Sequence, residues 1–424
     1  MTSILGTGLA QVRTVLDNGV VVIAKETRTT PAVTINLAVR AGSACDPPDA
    51  PGAMYLLSRV VDRGTATRSA DDIAAEFDSR GLALATTVTR HVFSIVCTCL
   101  AEDFEPVLAL LGDILMSPSI PEAELVTRKG EVVTGIRQDD DNPAVRAVEA
   151  LMALLYPDGH PYGRRLKGTA ETVERLTRER LVDLHGRHFG PNDLSVVVVG
   201  DVSPDQARDC AARVFGAWTR VAAPENPLAR PSPATSRRRL VIPMMNKAQA
   251  DIAYGFVAIA RASPAYEAFR LMNNAFGQYA IGGRLGDSIR ERQGMAYYVF
   301  SSLDANVVEG PLVIRAGVSP ANVDRTIASI DEEIARLVRD GLTEQELNES
   351  RQYLVGSLPR TLETNAGIAH FLQTIEFFGL GLDYDVRMPD VLAAVTLDDV
   401  HAAAGILDPD RATIVVAGPY EAIG

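Results

Sequence analysis

Apolar and polar residues alternate with period two in AVTINLAVRAGS (32–43) and again in ADIAYGFVAIAR (250–261). Both runs read as strands, and they stand at matching places in two halves of the chain. Helical spacing recurs in the same way. PEAELVTRKGEVVTGI starts at Pro121 and TEQELNESRQYLVGSL at Thr343, 222 residues later. Each gives an acidic first turn and then a helix with apolar residues at helical intervals. LTRERLVDLHGRHFGPNDLSVVVVG ends at Gly200 and VTLDDVHAAAGILDPDRATIVVAG ends at Gly418. Each gives a capped helix, a Pro/Asp turn and an unbroken apolar run that reads as a buried strand. Asn-Gly inside VLDNGVVVIAKE (15–26) predicts a hairpin. PENPLARPSPATSRRR (224–239) is rich in proline and charge and reads as a connector. The fold expected is α+β: two homologous halves, 1–222 and 239–424, joined by a linker at 223–238.

Composition narrows the function. The 424 residues suit two domains, and 47% hydrophobic with 22% charged residues is an ordinary globular balance. A net charge of -13 argues against a nucleic-acid partner, which needs clustered cations. No apolar run approaches the roughly 20 residues of a membrane span. MTSILGTGLAQVRTV shows no charged stretch followed by a long apolar core. No signal peptide is therefore visible: the expectation is cytoplasmic, and a trimmed N-terminus would admit the periplasm. Four cysteines make no disulfide framework at this length. Cys97 and Cys99 share one face of a strand, where packing explains them better than a metal does.

GIAHFLQTIEFFG (367–379) comes near the inverted zinc-peptidase motif H-x-x-E-H, in which two histidines hold the metal and the glutamate is the base. His370 is in place, but Gln373 and Thr374 replace the glutamate and the second histidine. The repeat supplies a plainer reading. The same place in the first half falls near Val148 in AVRAVEALMALLY, so both segments are packing helices, with Asn142 and Asn365 as expected caps. His185 and His188 lie i, i+3 at a helix end with no carboxylate beside them. His160, in a loop, and His91, on a strand, call for no special role. Asp139, Asp140 and Asp141 precede Asn142-Pro143 as acids commonly precede a helix. GTGLAQ and AIGGRLGD lack the setting of nucleotide loops.

The helix expected after the first half's second strand is GAMYLLSRVVDRGT (52–65). It resembles G-x-A-H-F-L-E-H-x-x-F-[KR]-G-T of the M16 family of zinc peptidases, which includes pitrilysin, insulinase and the mitochondrial processing peptidase. Gly52, Leu57, Arg63, Gly64 and Thr65 match the frame. Tyr55 and Arg59 occupy the histidine positions and Ser58 the base position. The family's third ligand is a glutamate in a run like R-x-V-V-x-E-E-I; in RKGEVVTGIR, Thr134 and Gly135 stand there. The resemblance, supported by YPDGHPYGRRLKGTAETVERLT, implies a true member without a metal site in this chain. It also implies two halves of the LuxS/M16 metallohydrolase type, with mixed or antiparallel sheets flanked by helices.

SIRERQGMAYYVFSS (288–302) resembles the family run L-R-E-x-x-G-L-A-Y-x-V. The family's arginine and tyrosine reach the zinc site from the C-terminal half and stabilise the tetrahedral intermediate; the matching residues are Arg290 and Tyr297. Short members can divide a catalytic chamber between two subunits. The resemblance therefore implies a zinc-free subunit of a heterodimeric peptidase. The zinc and an intact H-x-x-E-H would lie in a homologous partner, with a peptide as substrate. The α-subunit of the mitochondrial processing peptidase is the nearest analogy, although GQYAIGGRLGD does not reproduce its long glycine-rich loop. Two alternatives stay open: an inert scaffold like the core proteins of respiratory complexes, and a module that binds peptides at a sheet edge.

Overall fold

The computed structural model describes residues 2–5 (backbone only), 8–219, 227–278 and 283–421. Part of the expected linker (223–226) and part of GQYAIGGRLGD (279–282) lie outside the described residues. The first half runs β1 (Thr2–Leu5), β2 (Val12–Val15), β3 (Val21–Glu26), β4 (Ala32–Val39), α1 (Ala53–Val60), α2 (Ala70–Arg80), β5 (Ala83–Val88), β6 (Phe93–Leu100) and α3 (Phe104–Met116). It continues with α4 (Glu122–Asp140), α5 (Pro143–Leu155), α6 (Ala170–Arg175), α7 (Arg178–His188), β7 (Leu194–Gly200) and α8 (Pro204–Phe215). The second half runs β8 (Arg238–Pro243), β9 (Ala250–Val257), α9 (Tyr266–Asn273), β10 (Ala296–Leu303), β11 (Pro311–Val318) and α10 (Val323–Asp340). It ends with α11 (Glu344–Thr361), α12 (Asn365–Phe378), α13 (Tyr384–Ala393), α14 (Leu397–Ala404) and β12 (Thr413–Gly418).

The repeat expected from the pattern is present in the sheets. One sheet has the order β1-β2-β3-β7-β4-β6-β5 and the other β10-β11-β9-β12-β8. Read from the other edge, the second reproduces the β3-β7-β4-β6-β5 portion of the first. In both, a single parallel pair, β3 with β7 and β8 with β12, sits among antiparallel ones. The Asn-Gly hairpin forms as expected: β2 and β3 pair antiparallel, Gly19 turns with φ 98°, and its amide donates to the Leu16 carbonyl.

The chain divides into two compact units: 1–136, 165–226 and 357–387 in one, and 137–164, 227–356 and 388–424 in the other. The expected halves 1–222 and 239–424 describe the repeat, whereas the packing exchanges a helix between them. The apolar face of α5, with Ala147, Leu151 and Leu155, is buried against Ala253 and Val257 of β9 and Val415 and Ala417 of β12. Gly255 lets this helix approach, since a Cβ there would stand 2.8 Å from Leu151 Cδ2. α12 in turn lies on β4 and β7 of the first unit.

This exchange explains why the alternation in 32–39 produces no solvent face. Val33, Ile35, Leu37 and Val39 enter the main core with Leu56, Leu57 and Val60 of α1. Thr34, Asn36 and Ala38, on the other face, are buried as well. Gln373 of α12 donates to Ser195 Oγ, and Ser195 donates to the Ala38 carbonyl.

Asn142 caps α5 as expected, accepting from the Ala144 amide at 3.0 Å. Asn365 does not cap α12. Thr364 does, accepting from the Gly367 amide at 3.0 Å, while Asn365 is the first helical residue and donates to the Ala32 carbonyl at 3.1 Å. The chain turned one residue earlier because Asn365 has a better partner on β4. His91 is in the turn between β5 and β6, not on a strand. Asp139 and Asp140 close α4 rather than open α5. Cys97 and Cys99 lie buried on one face of β6, and burial pushes their thiols up to about 11 and about 12, which keeps them protonated and unreactive.

Candidate functional site

In the first unit the stretch expected to carry the family motif is α1. Its entry is built by glycine and aspartate. Gly52 has φ 92°, and a Cβ there would meet the Lys167 carbonyl oxygen at 2.4 Å. The buried Asp46 carboxylate accepts from the amides of Gly52 and Met54 at 2.8 and 2.7 Å, which satisfies the helix N-terminus. At the other end Gly64 has φ 139°, and Thr65 donates to Asp113 at 2.8 Å. The frame residues of the motif thus still perform their structural tasks.

The chemistry within that frame is not that of a metal site. Tyr55 packs partly against the core. Ser58 is buried, and its hydroxyl is turned back on the Tyr55 carbonyl at 2.7 Å. Arg59 is exposed. On α4, Thr134 donates to the Gly130 carbonyl, and a Cβ at Gly135 would meet only Lys167 Nζ, at 3.9 Å. Zinc takes imidazole, carboxylate or thiolate, and none of these five positions offers one. The slot is cationic instead. The hydrogen bond from Arg128 chiefly, with the charges of Arg128, Arg59 and Arg63, holds the exposed Glu131 carboxyl below the usual range although burial opposes it. Zinc does not fit these residues. Among the described residues no group of three or more His, Cys, Asp or Glu could hold a metal ion.

The other histidines are placed locally, among them His401, whose Nε2 lies 2.7 Å from the Val338 carbonyl. His370 is exposed on α12. His185 is half-buried at the end of α7 with Nε2 2.8 Å from the Leu115 carbonyl, so that nitrogen carries the proton, and desolvation lowers its pKa. His188 is also lowered, mainly by burial. His160 caps a short turn through Nδ1, accepting from the Tyr162 amide.

In the second unit the expected pair sits at an unusual stretch of backbone. Arg290 lies in a π-helical turn, Gly286–Arg292, a widened geometry that often marks functional sites. The chain leaves it through Gly294 at φ 61°, whose amide donates to the Arg290 carbonyl at 3.0 Å. It then enters β10, the edge strand of its sheet. There the register shifts: Ala296 faces Val318 and Tyr298 faces Gly317, so Tyr297 is the extra residue of a β-bulge. Its side chain is 83% exposed, and no hydrogen bond or ion pair holds it among the described residues. Arg290 is exposed beside Glu291 at 3.5 Å.

Tyr298 fixes the bulge, and sequence reading passed it over. Its ring lies on Gly317, where a Cβ would come within 2.5 Å of Tyr298 Cε1. Its hydroxyl donates to Asp251, a buried carboxylate on β9 that also accepts from Gln249 Nε2 at 3.3 Å. Burial and the neighbouring carboxylate raise the Tyr298 pKa, so the phenol stays a donor. The signal was the Tyr-Tyr doublet: in a regular strand one ring would face each side, and a bulge keeps the second inside while turning the first out.

The sequence matches the family descriptions "Insulinase (Peptidase family M16)" over residues 21–170 and "Peptidase M16 inactive domain" over residues 175–354. It is 25% identical to an uncharacterized zinc protease of Streptomyces coelicolor, over 96% of this chain and 90% of that one. It is 27% identical to an uncharacterized zinc protease of Mycobacterium leprae, over 96% and 92%. Among solved structures it is similar to the crystal structure of a peptidase M16 inactive domain from Pseudomonas fluorescens. There the TM-score is 0.89 and the identity 26%, with 97% of this chain and 98% of that one covered.

Proposed function

This chain belongs to the insulinase (M16) peptidase family, and on that premise we propose that it is the metal-free subunit of a two-chain zinc peptidase. It completes a peptide chamber and contributes Arg290 and Tyr297 to the site of a homologous partner that carries H-x-x-E-H. The zinc belongs to that partner, and no step passes through a metal in this chain.

The work left to this chain is electrostatic. When a peptide bond is attacked, negative charge grows on its carbonyl oxygen. A guanidinium, charged at any pH near neutrality, and a phenol O–H are suited to donate to that oxygen. The observation that carries the reading is Tyr297. A bulge pinned by Tyr298, Asp251 and Gly317 holds a large aromatic residue 83% exposed with no packing return. A tyrosine kept out in this way is explained by something that arrives to meet it. The scaffold alternative leaves this device unexplained.

The assembly is tested by co-expressing the chain with an M16 protein bearing H-x-x-E-H and following the pair by size-exclusion chromatography and elemental analysis. The expected result is a stable heterodimer with one zinc, and none in this chain alone. A chain that stays apart from every such partner contradicts the reading.

A further inference from the structure

The slot between α1 and α4 that does not fit zinc is lined by protein cations. Arg59 is exposed and carries no hydrogen bond or ion pair among the described residues. Tyr55, one turn earlier on α1, packs its ring partly on the core, while its hydroxyl has no partner among the described residues and is not buried. On α4, a Cβ at Gly135 would stand 3.9 Å from Lys167 Nζ, so the ammonium lies over the face from which a side chain at 135 would rise. Backbone contacts fix the turn that carries Lys167. Its carbonyl lies against Gly52 at the start of α1, and Gly168 turns with φ 73° where a Cβ would meet the Pro51 carbonyl oxygen at 2.2 Å.

Neighbouring charges show how the two helices face each other. Toward the end of α1, Asp62 feels the charge of Arg128; one turn further in, Arg59 acts on Glu131. At the start of α1, Gly52 and Gly135 share Lys167 as a neighbour. The helices therefore run antiparallel across the slot, with Arg59 near Glu131 and Tyr55 toward Gly135. The acids close by are already engaged. Arg128 lies 2.5 Å from Glu131 and 3.4 Å from Glu124. Arg63 lies 3.3 Å from Asp62, whose carboxyl is pushed up by burial. Arg59 is left with no carboxylate of its own among the described residues.

A slot that repels a divalent cation attracts an anion. Its donors are a guanidinium, an ammonium and a phenol O–H, a set that meets both oxygens of one carboxylate. A dianion such as phosphate suits it less, because Glu124, Glu131 and Asp62 stand close by. We propose that the lost metal slot is a carboxylate subsite, formed by Arg59, Lys167 and Tyr55, for an acidic group of a peptide. The carboxylate can come from the peptide's C-terminus or from an Asp or Glu side chain. That a peptide reaches the slot rests on the reading above, but the test needs neither partner nor hydrolysis, so either can fail alone.

The experiment is a chemical-shift titration of the whole chain with three short alanine peptides. One is N-acetylated with a free C-terminus, one is blocked at both ends with a central glutamate, and one is blocked at both ends with a central glutamine. Binding of the first identifies a terminal carboxylate, and binding of the second a side-chain carboxylate. Either supports the site, provided that the glutamine peptide binds about tenfold more weakly or worse, and that Arg59→Gln and Lys167→Met each weaken binding about tenfold. Arg411→Gln, which removes an exposed arginine of the second unit, should bind as wild type does. If Lys167→Met fails to fold by circular dichroism, Arg59→Gln decides. The proposal is overturned by no binding up to about 10 mM, by a glutamine peptide that binds as well as the acidic ones, or by inorganic phosphate that binds more tightly than they do. Wild-type affinity in a folded Arg59 or Lys167 variant, or an equal loss in Arg411→Gln, overturns it as well.

Discussion

Single side chains decide whether this chain can hold a metal. By the motif resemblance, Tyr55, Arg59 and Gly135 are the positions expected to carry the ligands of an M16 peptidase, and the turns around them are held by Gly52, Asp46, Gly64 and Thr65. Reinstalling ligands by Tyr55→His, Arg59→His and Gly135→Glu is therefore expected to create zinc binding. The open space over Gly135 admits the longer side chain. Elemental analysis after dialysis checks this; a folded triple variant without zinc would show that the frame has also been lost. Titration is a residue-scale property as well. The Glu346 carboxyl is depressed to about 2 from an ordinary 4.5. Its contribution to stability is fully present above about 4.5 and is lost as pH falls toward 2. His185 is depressed by burial, so its contribution is present above about 6.5 and declines below that. Thermal melts should hold level near neutral pH and fall on acidification, and Glu346→Gln should flatten the part of the curve between about 4.5 and 2. An unchanged acid limb in that variant would contradict the assignment.

Elements were legible in the sequence to the extent that local pattern fixes them. The Asn-Gly hairpin, the helices at Pro121 and Thr343, and the apolar runs ending at Gly200 and Gly418 all follow from spacing and turn chemistry. Two features did not follow. The cap of α12 moved from Asn365 to Thr364 because the asparagine found a carbonyl on β4, which is distant in sequence. The bulge at Tyr297 rests on Gly317 and Asp251 of neighbouring strands, and period-two reasoning cannot see either. The role proposed for Arg290 and Tyr297 comes from family resemblance; spacing alone leaves an exposed arginine and a strand tyrosine. The bulge yields a prediction. Gly317→Ala puts a Cβ into the Tyr298 ring and is expected to cost about 1–3 kcal/mol in denaturant unfolding. It should also alter the Tyr297 environment. No loss of stability would mean that Tyr298 does not hold the bulge.

The whole molecule is a duplication whose two units exchange a helix. α5 is covalently part of the first half and closes the second sheet; α12 does the reverse. Leu151→Ala should therefore destabilise the second unit by about 2–5 kcal/mol although it lies in the first half of the sequence. Fragments 1–226 and 227–424, expressed together, should associate and remain soluble, and each alone should expose the seat of its missing helix and aggregate. A soluble, cooperatively folded 1–226 would contradict the exchange. The pattern in the sequence revealed the repeat but not this exchange, because an amphipathic helix carries no label for the sheet it will cover.

At this scale the central claim is that the chain supplies transition-state stabilisation to a site it cannot build alone. The direct test is steady-state kinetics of the purified heterodimer on one fluorogenic peptide, comparing wild type with Arg290→Ala and Tyr297→Phe at equal zinc content and assembly. The account predicts that kcat falls about 10²–10³-fold, or roughly 3–4 kcal/mol, with KM little changed. Wild-type kcat and KM in both variants would contradict it.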